Sequence, residues 1–222
     1  MDQPGLAADK HRHALRGLAR VNQISRTAAI LWPPIRALAR HNAPRPTRLL
    51  DVASGGGDVV RTLERYALRA GLPLEVTGCD VSLFAVEYAQ SESAQTGSQA
   101  KFVLCDALSS ELPGEFDVVT CSLFVHHLEE TEAINLLGKM QRAAGQLLLV
   151  SDLLRTVLGY QLAWWGSRIL SRSSVVHVDG PMSVEGAFSM EELRRLADRA
   201  GLTGTRFERR WPQRCLLSWR RP

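Results

Sequence analysis

The sequence predicts an α/β fold in which a doubly wound, seven-stranded sheet carries helices on both faces. From residue 47 to residue 152, short apolar segments alternate with amphipathic ones, as strands alternate with helices in a parallel sheet. A helical segment precedes this core, and two further strands follow the last helix. The 222 residues are 45% hydrophobic, which suffices for one sizeable core, so we expect a single domain.

The first 46 residues predict a helical cap. Apolar side chains recur at helical spacing through residues 11–42, which indicates two successive helices. Pro33 and Pro34 lie within the second helix and predict a kink or a break there, because proline lacks a backbone N–H and its ring clashes with the preceding turn. Residues 41–46 are interpreted as a linker to the core.

The central core of the domain is predicted at residues 47–152. Its strands are short apolar runs, and we place them at residues 48–53, 74–80, 100–105, 116–122 and 146–151. The helices between them are amphipathic, and we place them at residues 58–71, 82–89 and 129–144. Ser82 is the expected N-cap of the second of these helices.

The C-terminal third predicts an insert and a closing unit. Residues 153–188 follow the fifth strand as an insert, with a long apolar helical pattern at residues 153–170. That pattern is compatible with a pocket wall, with a helix lying on a membrane surface, or with core or dimer packing. Residues 189–222 predict a helix that opens with a capping box and then two antiparallel strands.

Composition narrows the class of protein. The N-terminus lacks the apolar region of a secretory signal, and no apolar run is long enough for a membrane-spanning helix, so we expect a cytoplasmic protein without stable membrane insertion. The net charge is +4, but no basic stripe with interleaved aromatic residues accompanies it, so we expect no nucleic-acid partner. The four cysteines are scattered and form no C-x-x-C pair, which favours buried free thiols over a metal site.

The strongest motif is a glycine-rich turn between a strand and a helix, Leu49-Leu-Asp-Val-Ala-Ser-Gly-Gly-Gly-Asp58. Glycines allow a ligand to approach the backbone closely, and the following helix offers unpaired N–H groups at its N-terminus. In dinucleotide-binding proteins this geometry holds a pyrophosphate. Here Asp58 lies where that phosphate would bind and would repel it, so a cofactor with an amino-acid group and a sulfonium cation fits better.

The segment Asp51-x-Ala53-x-Gly55-x-Gly57 resembles motif I of the class I S-adenosylmethionine-dependent methyltransferases. The resemblance extends in the correct order over residues 47–152, with one departure, since Ala53 replaces the first glycine of the motif. It implies a Rossmann-like fold with S-adenosylmethionine as the cofactor. It further implies that residues 47–152 form the cofactor-binding core and residues 153–188 a lid over the substrate. It also implies that residues of this turn bind the cofactor, namely Asp51, Ala53, Ser54, Gly55 and Gly57.

The resemblance assigns five more cofactor residues to the ends of the next three strands. Asp80 ends the second strand and would accept hydrogen bonds from the ribose hydroxyls, with Val81 beside it. Asp106 follows the third strand and would contact the adenine amino group, while Ala107 would supply a backbone N–H. Ser122 ends the fourth strand and is expected near the methyl donor.

Candidate catalytic residues are histidines, because imidazole titrates near neutral pH and can take a proton from an acceptor hydroxyl. We predict His177, oriented by Asp179, as the general base, with His127 as the alternative. A loop in which His177 and Asp179 only satisfy backbone groups remains an open interpretation. Further residues predicted to contact the acceptor are Phe124, His126, Trp164 and Trp165, although His126 also fits a packing role.

The resemblance implies methyl transfer to a small apolar or aromatic molecule, as in secondary metabolism. O-methylation of a phenolic or polyketide-type acceptor is the first expectation, and C-methylation of a quinone-type ring is the alternative. A non-catalytic protein that binds S-adenosylmethionine is a further possibility, and a homodimer is left open. Asp152 is followed by Leu153 rather than by the Asn of the metal-dependent catechol-type enzymes, so we expect no metal.

Overall fold

The computed structural model describes residues 8–161 and 184–222. Within these residues, seven strands form one sheet in the order β3-β2-β1-β4-β5-β7-β6. The strands are β1 (Thr47–Val52), β2 (Leu74–Asp80), β3 (Lys101–Leu104), β4 (Phe116–Ser122), β5 (Ala144–Leu153), β6 (Arg206–Arg210) and β7 (Arg214–Arg220). The strand order confirms the predicted α/β fold with seven strands.

The sheet is parallel except at β7. The strands β1 to β5 pair in parallel, whereas β7 lies antiparallel between β5 and β6. The predicted antiparallel strands at the C-terminus are therefore confirmed. The strand order reverses between β1 and β4, and ligands of open α/β sheets bind in the crevice at the carboxyl ends of strands at such a point.

Helices cover both faces of the sheet. They are α1 (Ala8–Ile24), α2 (Thr27–Asn42), α3 (Asp58–Arg69), α4 (Leu83–Thr96), α5 (Glu130–Ala143) and α6 (Met190–Arg199). One apolar core joins the sheet to α2, α3 and α4, and a second joins the opposite face to α5 and α6. Both faces of the sheet are buried, which explains why the sequences of the parallel strands are nearly continuous runs of apolar residues.

The expected break at Pro33 and Pro34 is wrong, because both prolines lie inside a helix that is continuous from Thr27 to Asn42. Leu31 and Ile35 on this helix are fully buried against the sheet. Their burial offsets the backbone hydrogen bonds that the prolines cannot donate. The segment interpreted as a linker from residue 41 is correspondingly shorter, since α2 includes His41 and Asn42.

The insert after β5 is described only at its two ends. The strand β5 continues to Leu153, so the predicted helix does not begin there, and helical backbone starts at Val157. Four residues with predicted roles, Trp164, Trp165, His177 and Asp179, lie outside the described residues. Every helix in the described ranges is too short or too polar to span a membrane.

Candidate active site

The glycine-rich turn after β1 runs along the crevice with three residues in the left-handed region. Ala53, Gly55 and Gly57 have φ angles of +55°, +52° and +72°. A Cβ atom on Gly57 would lie 2.4 Å from the ring of Phe102, so only glycine fits there. A Cβ on Gly55 would meet only Leu15, at 3.9 Å, so the backbone edge at Gly55 is open to a ligand.

The carboxylate of Asp80 joins the end of β2 to this turn. Its Oδ2 accepts a hydrogen bond from the backbone N–H of Gly55 at 2.8 Å, and its Oδ1 accepts one from Ser82 at 2.9 Å. These two bonds hold the carboxylate beside the glycine-rich turn. The neighbouring side chain of Val81 is 54% exposed and presents an apolar surface beside the carboxylate.

Asp51 and Ser54 lie beneath the turn. Asp51 is buried and accepts a hydrogen bond from Thr120 Oγ1 at 2.7 Å. Burial raises the pKa of Asp51 to about 7, and the bond from Thr120 opposes that rise. The hydroxyl of Ser54 is buried against Gly78 of β2 and has no hydrogen-bond partner within the described ranges.

Asp106 and Ala107 lie in the loop that follows β3. Asp106 accepts hydrogen bonds from the backbone N–H of Leu108 at 2.9 Å and from the hydroxyl of Ser109 at 2.7 Å. The bond from Ser109, with that from Leu108, holds the pKa of Asp106 below its ordinary value. Ala107 is buried, and the backbone N–H of Cys105 donates to the carbonyl of Asp80, which joins the two loops.

A histidine–carboxylate pair lies at the ends of β4 and β5. His126 Nδ1 is 2.6 Å from Asp152 Oδ1, and the backbone N–H of His126 donates to Asp152 Oδ2 at 3.2 Å. Both side chains are buried, at 5% and 3% exposure. Burial alone would raise the pKa of Asp152, but the adjacent His126 holds it below its ordinary value. An ionised Asp152 keeps the proton of His126 on Nδ1 and leaves Nε2 as the basic nitrogen.

The residues between β4 and this pair form a strained turn. Leu123 has a φ of +53°, and its N–H donates to the carbonyl of Ser151 at 3.1 Å. Ser122 and Phe124 are half-buried beside it, and His127 is exposed with its ring 3.9 Å from that of His126. Backbone strain of this kind persists only where the surrounding contacts hold it, and it clusters at functional sites.

A buried arginine connects the cap to the same edge of the sheet. Arg214, at the start of β7, is fully buried, and burial lowers its pKa to about 10. Its Nη1 donates to Ser25 Oγ at 3.0 Å and to Thr27 Oγ1 at 2.6 Å, and its Nη2 donates to the carbonyl of Ser151 at 2.9 Å. The turn between α1 and α2 is thereby fixed to the carboxyl end of β5.

Comparison with known proteins agrees with this geometry. A family model described as "Methyltransferase domain" matches residues 49–145. The chain is 29% identical to the ubiquinone biosynthesis O-methyltransferase of Chromobacterium violaceum, over 73% of this chain and 67% of that protein. It is 30% identical to the protein of the same name from Brucella ovis, over 73% of this chain and 66% of that protein.

Solved structures show the same fold at low sequence identity. The apo S-adenosylmethionine-dependent methyltransferase SibL superposes with a TM-score of 0.68 at 18% identity, covering 93% of this chain and 57% of that one. Magnesium protoporphyrin IX methyltransferase from Synechocystis PCC 6803, solved with S-adenosylhomocysteine, superposes with a TM-score of 0.63 at 17% identity. The match covers 100% of this chain and 90% of that one. The chain belongs to the class I S-adenosylmethionine-dependent methyltransferases.

For this methyltransferase, the predicted family, fold and cofactor are confirmed. It is an enzyme of the methyltransferase class, so the interpretation as a non-catalytic binding protein is not supported. The chain spans between about half and two thirds of the length of the curated relatives it matches. The acceptor and the role of each site residue are therefore proposals.

The described residues of this methyltransferase fit S-adenosylmethionine. Gly55 offers an open backbone edge, Ser54 a buried hydroxyl without a hydrogen-bond partner among the described residues, and Asp80 a carboxylate beside that edge at the end of β2. The structure also brings together two residues that sequence reasoning gave no role, Asp152 and Arg214. The position of Asp152 at the end of the fifth strand was a usable signal for a site residue, whereas nothing in the sequence distinguished Arg214 from the other arginines.

Ala53→Gly should stabilise this methyltransferase by about 0.5–1 kcal/mol. The left-handed conformation costs a residue with a Cβ about 1–2 kcal/mol, and the greater freedom of glycine in the unfolded chain offsets part of the gain. Urea denaturation of the purified protein measures the change. The matched control is Ala94→Gly at an exposed position within α4, which should lose about 1 kcal/mol. Losses of equal size in the two variants would show that Ala53 is not strained.

Asp80→Asn should weaken binding of S-adenosylhomocysteine by about 1.5–3 kcal/mol, or roughly 10- to 150-fold, because it removes charge-assisted hydrogen bonds to the ribose. Asparagine keeps one oxygen that can accept from Gly55, so the turn retains much of its support. Titration calorimetry gives the affinity, and Asp198→Asn on the exposed face of α6 is the control. Unchanged affinity in Asp80→Asn would contradict the ribose assignment.

Proposed function

We propose that this methyltransferase transfers the methyl group of S-adenosylmethionine to a hydroxyl oxygen of a small aromatic acceptor, of the phenolic or quinone-precursor kind. The observation that carries the proposal is the buried pair of His126 and Asp152 at the carboxyl ends of β4 and β5. A phenolic hydroxyl must lose a proton to become a good nucleophile, and an oriented imidazole is suited to accept it.

The orientation of His126 supports a role as general base. Asp152 accepts from the ring through Oδ1 and from the backbone of His126 through Oδ2, so both the ring and the turn are held. This arrangement selects the tautomer whose Nε2 has a free lone pair, as carboxylates do for catalytic histidines elsewhere. S-adenosylmethionine supplies an activated methyl group when bound, so the protein's own task is to align the acceptor and take its proton.

The relatives favour oxygen as the methylated atom. The curated proteins that match most of this chain are named ubiquinone biosynthesis O-methyltransferases, and a structural neighbour, an O-methyltransferase family 2 protein from Planctomyces limnophilus, was solved with apigenin. Those names describe the relatives, and the neighbour at 15% identity supports the fold alone. The names of the curated relatives, together with the histidine–carboxylate pair, favour phenol O-methylation over ring C-methylation for this chain.

The test is turnover with S-adenosylmethionine carrying a ¹³C-labelled methyl group and a panel of catechols, polyphenols and quinone precursors. The proposal predicts a labelled methyl ether, which NMR and mass spectrometry distinguish from a methyl group on a ring carbon. The control acceptor is the matching phenyl ring without a hydroxyl group, which should not be methylated. A product with the label on ring carbon would support the C-methylation alternative and contradict this proposal.

A further inference from the structure

The side chain of Lys139, on α5, lies against the loop that carries Asp106. Its ammonium group donates hydrogen bonds to three backbone carbonyls of that loop, those of Ala107 at 3.1 Å, Leu108 at 2.6 Å and Ser110 at 2.8 Å. An ammonium group has three N–H donors and no acceptor, so all of its donors point at one short turn. Lys139 therefore fixes the path of the backbone directly after Asp106.

Lysine is an unusual residue in this chain, which makes the contact informative. Only three of the 27 basic residues are lysines, at positions 10, 101 and 139. Three converging carbonyls match the compact ammonium group, whereas the planar fork of arginine suits carboxylates and phosphates better. A second side-chain link from α5 to this loop is the exposed ion pair of Arg142 and Glu111, and pairs of that kind contribute little to stability.

The loop also holds Asp106 in a defined orientation. The carboxylate accepts from the backbone N–H of Leu108 and the hydroxyl of Ser109, while its own carbonyl accepts from the N–H of Ser110. Two of the carbonyls bound by Lys139 belong to Leu108 and Ser110. Motion of this turn would therefore move the carboxylate, and the lysine restrains both together.

We propose that Lys139 is a positioning residue that sets the selectivity of this methyltransferase for the adenine base of its cofactor. The inference rests on the proposed assignment of Asp106 to the adenine amino group. A carboxylate held in place accepts a hydrogen bond from that amino group, and it repels the carbonyl oxygen that hypoxanthine presents at the same position. Lys139 does not touch the base and acts only through the loop.

The experiment compares two ligands by titration calorimetry, S-adenosylhomocysteine and its analogue with hypoxanthine in place of adenine. Lys139→Met should weaken binding of the adenine ligand by about 3- to 30-fold, because the carboxylate is no longer held in place. Binding of the hypoxanthine ligand should change little, so the selectivity ratio falls. Lys139→Arg keeps the charge but not the three converging donors. Its ratio of adenine-ligand to hypoxanthine-ligand affinity should lie between those of the wild type and Lys139→Met.

Two further variants complete the design. Lys101→Met replaces an exposed lysine at the start of β3 and should leave both affinities unchanged. Asp106→Asn should remove the selectivity directly, and if it keeps the wild-type ratio, the adenine assignment and this proposal both fail. If Asp106→Asn loses the selectivity for adenine over hypoxanthine while Lys139→Met keeps the wild-type ratio of the two affinities, the proposal for Lys139 fails and the adenine assignment stands. Binding of S-adenosylhomocysteine by the wild-type protein tests the cofactor site separately.

Discussion

Replacing His126 with asparagine should lower kcat for a phenolic acceptor by about 10²- to 10⁴-fold, which is the usual contribution of a general base. The amide nitrogen of asparagine occupies nearly the place of His126 Nδ1, so it can still donate to Asp152 and keep the hydrogen bond of the buried pair. The nitrogen that would take the proton is removed. Affinity for S-adenosylhomocysteine should stay at the wild-type value, because His126 is not among the residues assigned to the cofactor.

The matched control for this prediction is His127→Asn, which alters the exposed neighbouring ring. It should keep a kcat close to that of the wild type. Rapid-quench measurements of a single turnover separate the chemical step from product release. If His126→Asn retains full single-turnover activity, His126 has only a packing role. If His127→Asn loses activity instead, the base is the residue that the sequence offered as an alternative to His177.

Arg214→Ala should lower the free energy of unfolding by about 3–5 kcal/mol. The guanidinium group is fully buried, and its removal leaves the hydroxyls of Ser25 and Thr27 and the carbonyl of Ser151 without this donor. Each buried polar group that loses its partner costs about 1–3 kcal/mol, and the vacated volume adds a cavity cost. Asp152 also loses a nearby positive charge.

Urea denaturation measures this loss, and Arg220→Ala at the exposed end of the same strand is the control. The control should stay within about 0.5 kcal/mol of the wild type, as surface substitutions usually do. A difference of less than about 1 kcal/mol between the two variants would show that the buried network does not hold the cap to the sheet. Limited proteolysis at the turn between α1 and α2 should accelerate in Arg214→Ala only.

The alternation of strands and helices could be predicted from the sequence because each element has its own local pattern of apolar residues. The predicted bounds of β2 and β4 coincide with those of the structure, and the glycine-rich turn could be located from adjacent residues. The helix α4 was predicted to end at Ala89 but continues to Thr96, where Gly97 in the left-handed conformation ends it. Polar residues at its C-terminal end weakened the apolar periodicity on which the prediction depended.

The contacts that build the proposed acceptor side of the site could not be predicted, because they join residues far apart in the chain. His126 and Asp152 are 26 positions apart, and Arg214 meets Thr27 across 187 positions. The predicted general base, His177, and the carboxylate predicted to orient it, Asp179, are two positions apart. Such a local pattern can be recognised in a sequence, whereas a contact between distant residues cannot. Only the pairing of β5 with both β4 and β7 brings the distant residues to one edge of the sheet.

A crystal structure with S-adenosylhomocysteine and a phenolic acceptor bound tests the proposed active site most directly. We expect the ribose hydroxyls to bind Asp80, the adenine to lie beside Asp106, and His126 Nε2 to reach the acceptor hydroxyl at about 2.6–3.2 Å or through one water. An acceptor hydroxyl beyond that reach of His126, or a cofactor bound away from Gly55 and Asp80, would contradict the proposed site.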